Sequence, residues 1–469
     1  MCDVDIRVGI IGVGNIGSAH AAALHAGRVE GMTLTAICDI DPKRREWVEK
    51  TLPGVAVYEN SDRFFAESGV DAVIVATPHY FHPPLTCEAF AHGMHALTEK
   101  PAGVSVSAVR EMIAAAERSG KRFGIMWNQR TSPLYARVRQ LVQDGTLGQP
   151  QRLIWQATAW YRNQAYYDSG SWRATWDGEG GGVLMNQAPH QLDLMQWIFG
   201  MPEAITATCT EAKYHDIEVE DDAVLFCRYA NGAQALFIAS TGENPGTNRL
   251  EIAGSRGKLV AVPGKLTLWL PDENGKLVMT EEDYSAPEPA HVGILNDFSR
   301  AIREGGPLLA EGAEGIRELT LCNAAYLSSW TGREVTLPFD EALFDRLLAE
   351  KRAASHTKGN DDEADRTAGE YRPAGAWDNK THKKTRRTAQ CGGSFVGAFR
   401  CGNSPVLPGE DKRAERSLAS LVRGGDFAVG KRRRGSGRCL SIGLTFVRHQ
   451  PQEHQRPLFY FRLSSSIAA

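Results

Sequence analysis

None of the nine cysteines in this 469-residue chain forms a CxxC pair or falls at zinc-ligand spacing. That excludes a zinc ribbon or a dithiol redox motif, and no metal site is expected. Cys38, Cys87, Cys209, Cys227 and Cys322 lie inside apolar stretches and read as buried free thiols in a reducing cytoplasm. Long hydrophobic runs are also missing: nothing approaches the roughly twenty apolar residues of a bilayer span, so no membrane partner is expected. The first strand begins within about five residues of the N-terminus, too soon for a signal peptide. An excess of one charge is absent as well, the net being −3, but the two ends differ. Residues 1–351 hold 31 basic against 45 acidic side chains, and 352–469 hold 22 against 11. By charge the body is no nucleic-acid binder. With 42% hydrophobic residues it has ample material for buried cores.

An apolar strand, Ile6–Ile11, runs into Gly12-Val13-Gly14-Asn15-Ile16-Gly17 and then a helix-like stretch through Leu24. A second apolar run, Leu34–Cys38, ends in Asp39. Gly12 permits the tight turn, Gly14 admits a pyrophosphate to the backbone, and Gly17 lets the helix pack close to the strand. The helix start offers unpaired N–H donors to the phosphates. Asp39 lies about twenty residues on, where a carboxylate accepts hydrogen bonds from the ribose hydroxyls. Its charge repels a 2′-phosphate, which favours NAD. Arg44 and Arg45 stand near enough in sequence to serve such a phosphate, and NADP is the alternative.

Strands and helices go on alternating: helix-like Pro42–Lys50, strand Ala72–Ala76, a helix near Pro84–His92, strand Met94–Thr98, helix Ser105–Arg118 and strand Phe123–Trp127. This predicts an α/β domain with a Rossmann-like, doubly wound parallel sheet over 1–128. Its ligand belongs beyond the C-terminal strand ends, where Thr77, Pro78 and His79 and then Glu99 and Lys100 fall. From about Gln151 longer alternating segments predict a second, α+β domain over 129–350 with a large, mainly antiparallel sheet. Residues 351–469 combine charge clusters with the basic run Lys431–Arg434 and show no folding period. They read as a disordered basic tail, or as sequence translated past an altered stop or frame, rather than as a nucleic-acid address.

Lys100, ending a strand on the cofactor side, can aim its ammonium at a substrate over the nicotinamide. In the segment from Gly180 to Asp193, helical spacing puts Asn186, His190, Asp193 and Trp197 on one polar stripe. Pro189 requires the helix to kink or restart there. Between the domains, Trp160–Trp176 interleaves aromatic rings with polar groups, among them Tyr166, Trp172 and Arg173, a combination suited to the C–H faces and hydroxyls of a sugar ring, with an aromatic oligomer interface as the competing reading.

These motifs, together with Thr77-Pro78 and His82, Glu99-Lys100-Pro101, Gly180–Gly182 with His190 and Asp193, and Gly332–Pro338, occur in the order of one family. Over roughly 1–345 the chain resembles the Gfo/Idh/MocA oxidoreductases, named after glucose–fructose oxidoreductase and inositol dehydrogenase. The resemblance implies hydride transfer from a secondary alcohol of a sugar, sugar derivative or cyclitol to nicotinamide. By position, Lys100 and His190 would be catalytic. Asp193, Asn186, Tyr166, Trp172 and Arg173 would bind substrate. Gly12, Gly14, Asn15, Ile16, Gly17, Asp39, Thr77, Pro78, His79, His82, Glu99 and Lys100 would bind cofactor. The Lys100-Pro101 bond would be cis, and the protein a dimer or tetramer through an exposed sheet face. Many members carry aspartate where Asn186 stands; asparagine can orient His190 but cannot stabilise its charged form as a carboxylate would. Two other readings are a redox-neutral, NAD-dependent glycoside-cleaving enzyme and a non-catalytic cofactor-binding regulator.

Overall fold

Near-continuous apolar runs flanked by helices bury both faces of a strand, and the first sheet is built from such runs. In this computed structural model, residues 5–356 are described, and beyond them only the backbone of four short strands. The first unit opens with β1 (Ile6–Ile11), α1 (Asn15–His25), β2 (Met32–Cys38), α2 (Pro42–Thr51), β3 (Ala56–Tyr58), α3 (Ser61–Glu67), β4 (Ala72–Val75) and α4 (His82–Ala91). β5 (His95–Thr98), α5 (Val106–Ser119) and β6 (Phe123–Ile125) complete the first sheet. Its order is β3-β2-β1-β4-β5-β6, with every pairing parallel. This is the doubly wound dinucleotide-binding order, with its crevice where the order reverses between β1 and β4. Ile10 of β1 lies between Ile37 and Ile74, and all three are almost fully buried.

After α6 (Pro133–Gln143) come β7 (Pro150–Ala157), α7 (Gln164–Asp168), α8 (Val183–Asn186) and α9 (Pro189–Phe199). Then follow β8 (Ala204–Glu211), β9 (Glu220–Arg228), β10 (Gln234–Ser240), β11 (Asn248–Gly254), β12 (Lys258–Val262), β13 (Lys265–Pro271) and β14 (Leu277–Asp283). α10 (Ala290–Glu304), α11 (Gly315–Thr331), β15 (Val335–Thr336) and α12 (Glu341–Ala353) end the run. The nine-stranded sheet reads β14-β13-β12-β11-β7-β10-β9-β8-β15, antiparallel except where β10 runs parallel to β7. The expected α/β plus mainly antiparallel architecture is what the chain forms. The polar stripe breaks as Pro189 requires: α8 stops at Asn186, and α9 restarts with Pro189 in its first turn.

β14 was not anticipated, because its side chains are exposed along most of its length and carry no burial period. α3 was also missed, a short helix whose start is capped by the Asn60 side chain accepting from the Arg63 N–H at 3.0 Å. The chain divides into two units, Met1–Arg372 and Pro373–Ala469. In the latter, short antiparallel strands at Ser394–Val396, Ala428–Val429, Ile442–Val447 and Tyr460–Ser464 are described. The rest of the expected disordered tail lies outside the described residues.

Ile74, 1% exposed at the centre of the parallel sheet, offers a test of the packing. Ile74→Ala is expected to cost about 2–5 kcal/mol in urea unfolding.

Candidate active site

β1 delivers the chain into a turn that only glycine fits. Gly12 has φ +89°, and a Cβ there would stand 2.7 Å from the Ala76 carbonyl oxygen. At Gly17 a Cβ would meet the Gly12 oxygen at 1.9 Å, whereas at Gly14 it would project into open space. α1 begins at Asn15 with no side-chain cap, so its first N–H groups face the same space as Gly14 and the half-exposed Ile16. Asp39 ends β2 half-exposed, its carboxylate accepting from the Val13 N–H at 2.7 Å and the Asp41 N–H at 2.8 Å. The carboxylate is thereby locked to the glycine turn. Arg45 donates to the carbonyls of Asp39 and Ile40 at 2.8 and 2.9 Å, so its guanidinium braces the loop. An open glycine, an uncapped helix start and a fixed carboxylate together fit a dinucleotide.

At the ends of β4 and β5 several expected cofactor contacts prove to be internal ties. Thr77 and Pro78 are half-exposed beside Gly12. His82 corrects the expectation: its two ring nitrogens lie against the carbonyls of Pro101 at 2.8 Å and Thr77 at 2.7 Å, so it joins two strand ends and is not free for a ligand. His79 sets Nδ1 against the Glu179 carbonyl at 2.9 Å, tying this loop to the segment that leads into the triple glycine. Glu99 is 5% exposed; Oε1 pairs with His20 at 2.7 Å, and Oε2 accepts from the Lys100 N–H at 3.1 Å. Burial opposes its ionisation, but the His20 hydrogen bond and the charges of His20, Lys100 and His291 outweigh it and hold the carboxyl at about 2. Lys100, joined to Pro101 by a cis bond, donates from Nζ to the Asn186 carbonyl at 2.7 Å. Burial lowers its pKa, against the pull of Glu99, Glu179 and Glu318.

The triple glycine seats the other half of the site. A Cβ on Gly182 would lie 1.8 Å from the Glu220 carbonyl oxygen. The Glu220 carboxylate meanwhile accepts from the N–H groups of Gly182 and Leu184, both at 2.9 Å, and from the Tyr326 hydroxyl at 2.8 Å. Thus α8 is fixed at its start by a buried carboxylate. At its end Asn186 gives its carbonyl to Lys100 and its side-chain amide to Glu179, not to His190. That corrects the expectation that Asn186 orients the imidazole.

His190 stands edge-on to Trp127 at 5.8 Å between ring centres, and its Nδ1 is buried with no hydrogen-bond partner among the described residues. Burial, then the Lys100 charge, pushes its pKa down to about 3. A free imidazole gains its proton near neutral pH, whereas this ring is held neutral. Asp193 is a second correction. It is 1% exposed, and its carboxylate takes a two-pronged bond from Arg130 at 2.8 and 2.6 Å and a third bond from Gln196 at 3.0 Å. It anchors α9 and does not offer its oxygens to substrate hydroxyls.

The aromatic segment does reach this cleft. Trp172 touches His79 at 5.5 Å between ring centres, and the Arg173 guanidinium lies 4.6 Å from the Trp172 ring and 4.7 Å from the Tyr166 ring. The Tyr166 hydroxyl accepts from Arg173 at 2.8 Å and from Gln187, next to Asn186, at 3.2 Å.

Sequence reasoning missed Glu179, Arg130 and Glu318. Glu179 is 2% exposed; Oε2 accepts from the Ala174 N–H at 2.7 Å, and Oε1 accepts from Asn186. Burial raises its pKa, opposed by the Ala174 N–H, Arg173, Asn186 and Lys100. The signal was the missing carboxylate at 186: an acid immediately before the triple glycine supplies one seven residues earlier. Arg130 and Glu318 lacked any such signal, since each acquires its meaning from residues far away in sequence. Both Glu318 oxygens are buried without a partner among the described residues, and burial, then Asp193, raises its pKa well above the usual range. No cluster of three metal-ligating side chains occurs, and no helix is long and apolar enough to cross a membrane, among the described residues.

Two outcomes follow from these corrections. Asp193→Ala takes the two-pronged partner from a buried guanidinium and leaves it Glu314 and the Leu309 carbonyl; it is expected to cost about 3 kcal/mol of stability in denaturant melts, where loss of a substrate contact alone would leave stability intact. The neutral His190 ring contributes stability that is complete above its ordinary 6.5 and is lost as pH falls toward about 3. Unfolding at about pH 7 and about pH 5 should therefore show a smaller drop for His190→Gln than for the parent chain.

Comparisons with known proteins converge on one family. Residues 6–126 match the oxidoreductase family with an NAD-binding Rossmann fold, and 135–260 match the Gfo/Idh/MocA C-terminal domain. Inositol 2-dehydrogenase of Rhizobium meliloti is 25% identical over 342 residues, covering 71% of this chain and 99% of that protein. D-apiose dehydrogenase of Rhizobium rhizogenes is 26% identical over 332 residues, covering 67% and 93%. The crystal structure of the WlbA dehydrogenase from Bordetella pertussis, in complex with NADH and UDP-GlcNAcA, superposes with a TM-score of 0.63 at 26% identity, over 72% of this chain and 100% of that one. With its β3-β2-β1-β4-β5-β6 sheet, glycine turn and adjoining nine-stranded sheet, the chain belongs to the Gfo/Idh/MocA family of NAD-binding oxidoreductases.

Proposed function

We propose that the chain is an NAD-dependent dehydrogenase oxidising a secondary alcohol of a sugar, sugar derivative or cyclitol. The observation that carries this reading is the Lys100 ammonium: it sits at the end of β5, 2.7 Å from the Asn186 carbonyl, in a cleft that also holds the neutral His190 ring. Relatives named inositol 2-dehydrogenase and D-apiose dehydrogenase support the substrate class.

NAD, held by the glycine turn, the start of α1 and Asp39, supplies the hydride acceptor when bound. Lys100 donates from Nζ to the reacting hydroxyl and stabilises the negative charge that grows on its oxygen as the carbon gives up hydride. The His190 imidazole, already in its accepting form, takes the hydroxyl proton. A proton on Lys100 lowers the proton affinity of His190, so the two titrate as a coupled pair. Asn186 works through its main-chain carbonyl, which any residue supplies, and Glu179 holds its side chain. Asp39 favours NAD over NADP, because a 2′-phosphate would face its carboxylate. The half-exposed Trp172 and Tyr166 provide ring faces for the C–H side of a polyol. Exposed Val224 and Phe226 on β9 support a homo-oligomer through the open face of the large sheet. Five unpaired thiols among the described residues fit a reducing cytoplasm.

The test is NADH formation by the full chain against a panel of sugars, anhydrosugars and inositol isomers, with NADP run alongside. Lys100→Met is expected to lower kcat by about 10³-fold while NAD affinity holds. Asn186→Ala, which keeps the main-chain carbonyl, should lose less. Full turnover in Lys100→Met would contradict the assignment.

A further inference from the structure

The cleft holds cations that found no carboxylate. Elsewhere Arg130 is paired with Asp193, Arg228 with Glu203 and Glu334, and Arg352 with Asp177. Arg173 and Arg162 differ. Their guanidinium carbons lie 4.7 and 4.9 Å from the Tyr166 ring, and neither has an ion pair among the described residues. Arg173 spends Nη1 on the Tyr166 hydroxyl at 2.8 Å. Arg162 spends Nη1 on the Tyr161 carbonyl at 3.1 Å, and its Nε is buried with no partner. Lys100 likewise rests on a carbonyl. Glu179, whose charge Arg173 and Lys100 both feel, has its oxygens taken by Ala174 and Asn186.

Ring stacking and one hydrogen bond return only part of the hydration that a half-buried guanidinium without an ion pair loses, and an anion arriving with the ligand would return more. Arg173 is held in one orientation, stacked over Trp172 and Tyr166, with the rest of its donor fork unspent. A planar, pre-oriented fork matches an oxyanion with two acceptor oxygens. Gln187 links Tyr166 to the residue that holds Lys100, so an anion on Arg173 would sit within one small molecule's reach of the reacting hydroxyl.

We infer that the substrate is a polyol bearing an oxyanion, a carboxylate or a phosphate, and that Arg173 and Arg162 receive that group while Lys100 addresses the hydroxyl. This inference rests on the dehydrogenase reading above.

The experiment measures kcat/KM for the full chain with NAD against three arms: hexuronates, hexose phosphates and the neutral parent hexoses. Either anionic arm is expected to exceed the neutral arm by about 30-fold or more, the size of one charged hydrogen-bond set; which one does so separates carboxylate from phosphate. Arg173→Gln should collapse that ratio, mostly through KM, and Arg173→Lys should restore part of it, with circular dichroism confirming that each variant folds. Equal turnover of neutral and anionic substrates, or an unchanged ratio in Arg173→Gln, overturns the inference and leaves the dehydrogenase reading standing. Silence in every arm overturns the inference, and silence across the anhydrosugar and inositol panel as well, despite measured NAD binding, overturns both.

Discussion

A half-buried ammonium held by a carbonyl is the constraint on which the cleft depends. The Lys100–Asn186 bond joins positions 86 residues apart, the end of a parallel strand and the end of α8. Partly stripped of water, that charge needs an acid nearby, and Glu99, its carboxyl held at about 2, supplies negative potential without touching Nζ. Lys100 therefore keeps its donors for a ligand. The same charge, with burial, keeps His190 neutral, so one group in the cleft donates while its neighbour accepts.

Such an arrangement needs a rigid mount. Glu220 grips the backbone at the start of α8, and the Arg130–Asp193 pair grips α9 just past the restart at Pro189. His79 and His82 bind the β4 loop to Glu179 and Pro101. Buried pairs of this kind add little net stability, because desolvation offsets the attraction, but breaking one is costly and the geometry is therefore held. Much of what the sequence presents as polar site chemistry is this mount.

The division between legible and illegible residues follows from range. Hydrophobic runs, glycine spacing and the acid at Asp39 are local, so the parallel sheet and the cofactor turn could be read from them. Pro189 even announced the break between the two short helices. What could not be read was pairing across long separations. Asp193 looked like a free carboxylate because nothing near it in sequence reveals Arg130, 63 residues away. The depressed basicity of His190 could not be read either, because burial is a property of the packed cleft. Glu179 is the intermediate case: the absence of an acid at Asn186 pointed to a missing charge, but only the turn at Gly180–Gly182 brings the two side chains together. β14 was illegible for the opposite reason, having no buried face to impose a period.

The central claim is that hydride leaves a substrate carbon for nicotinamide in the cleft that Lys100 commands. The most direct measurement uses a responding polyol deuterated at the oxidised carbon and reads the recovered cofactor by mass spectrometry. The account predicts one deuterium per reduced cofactor and a matching ketone product. Product formed with unlabelled cofactor, or deuterium lost to solvent, would contradict it.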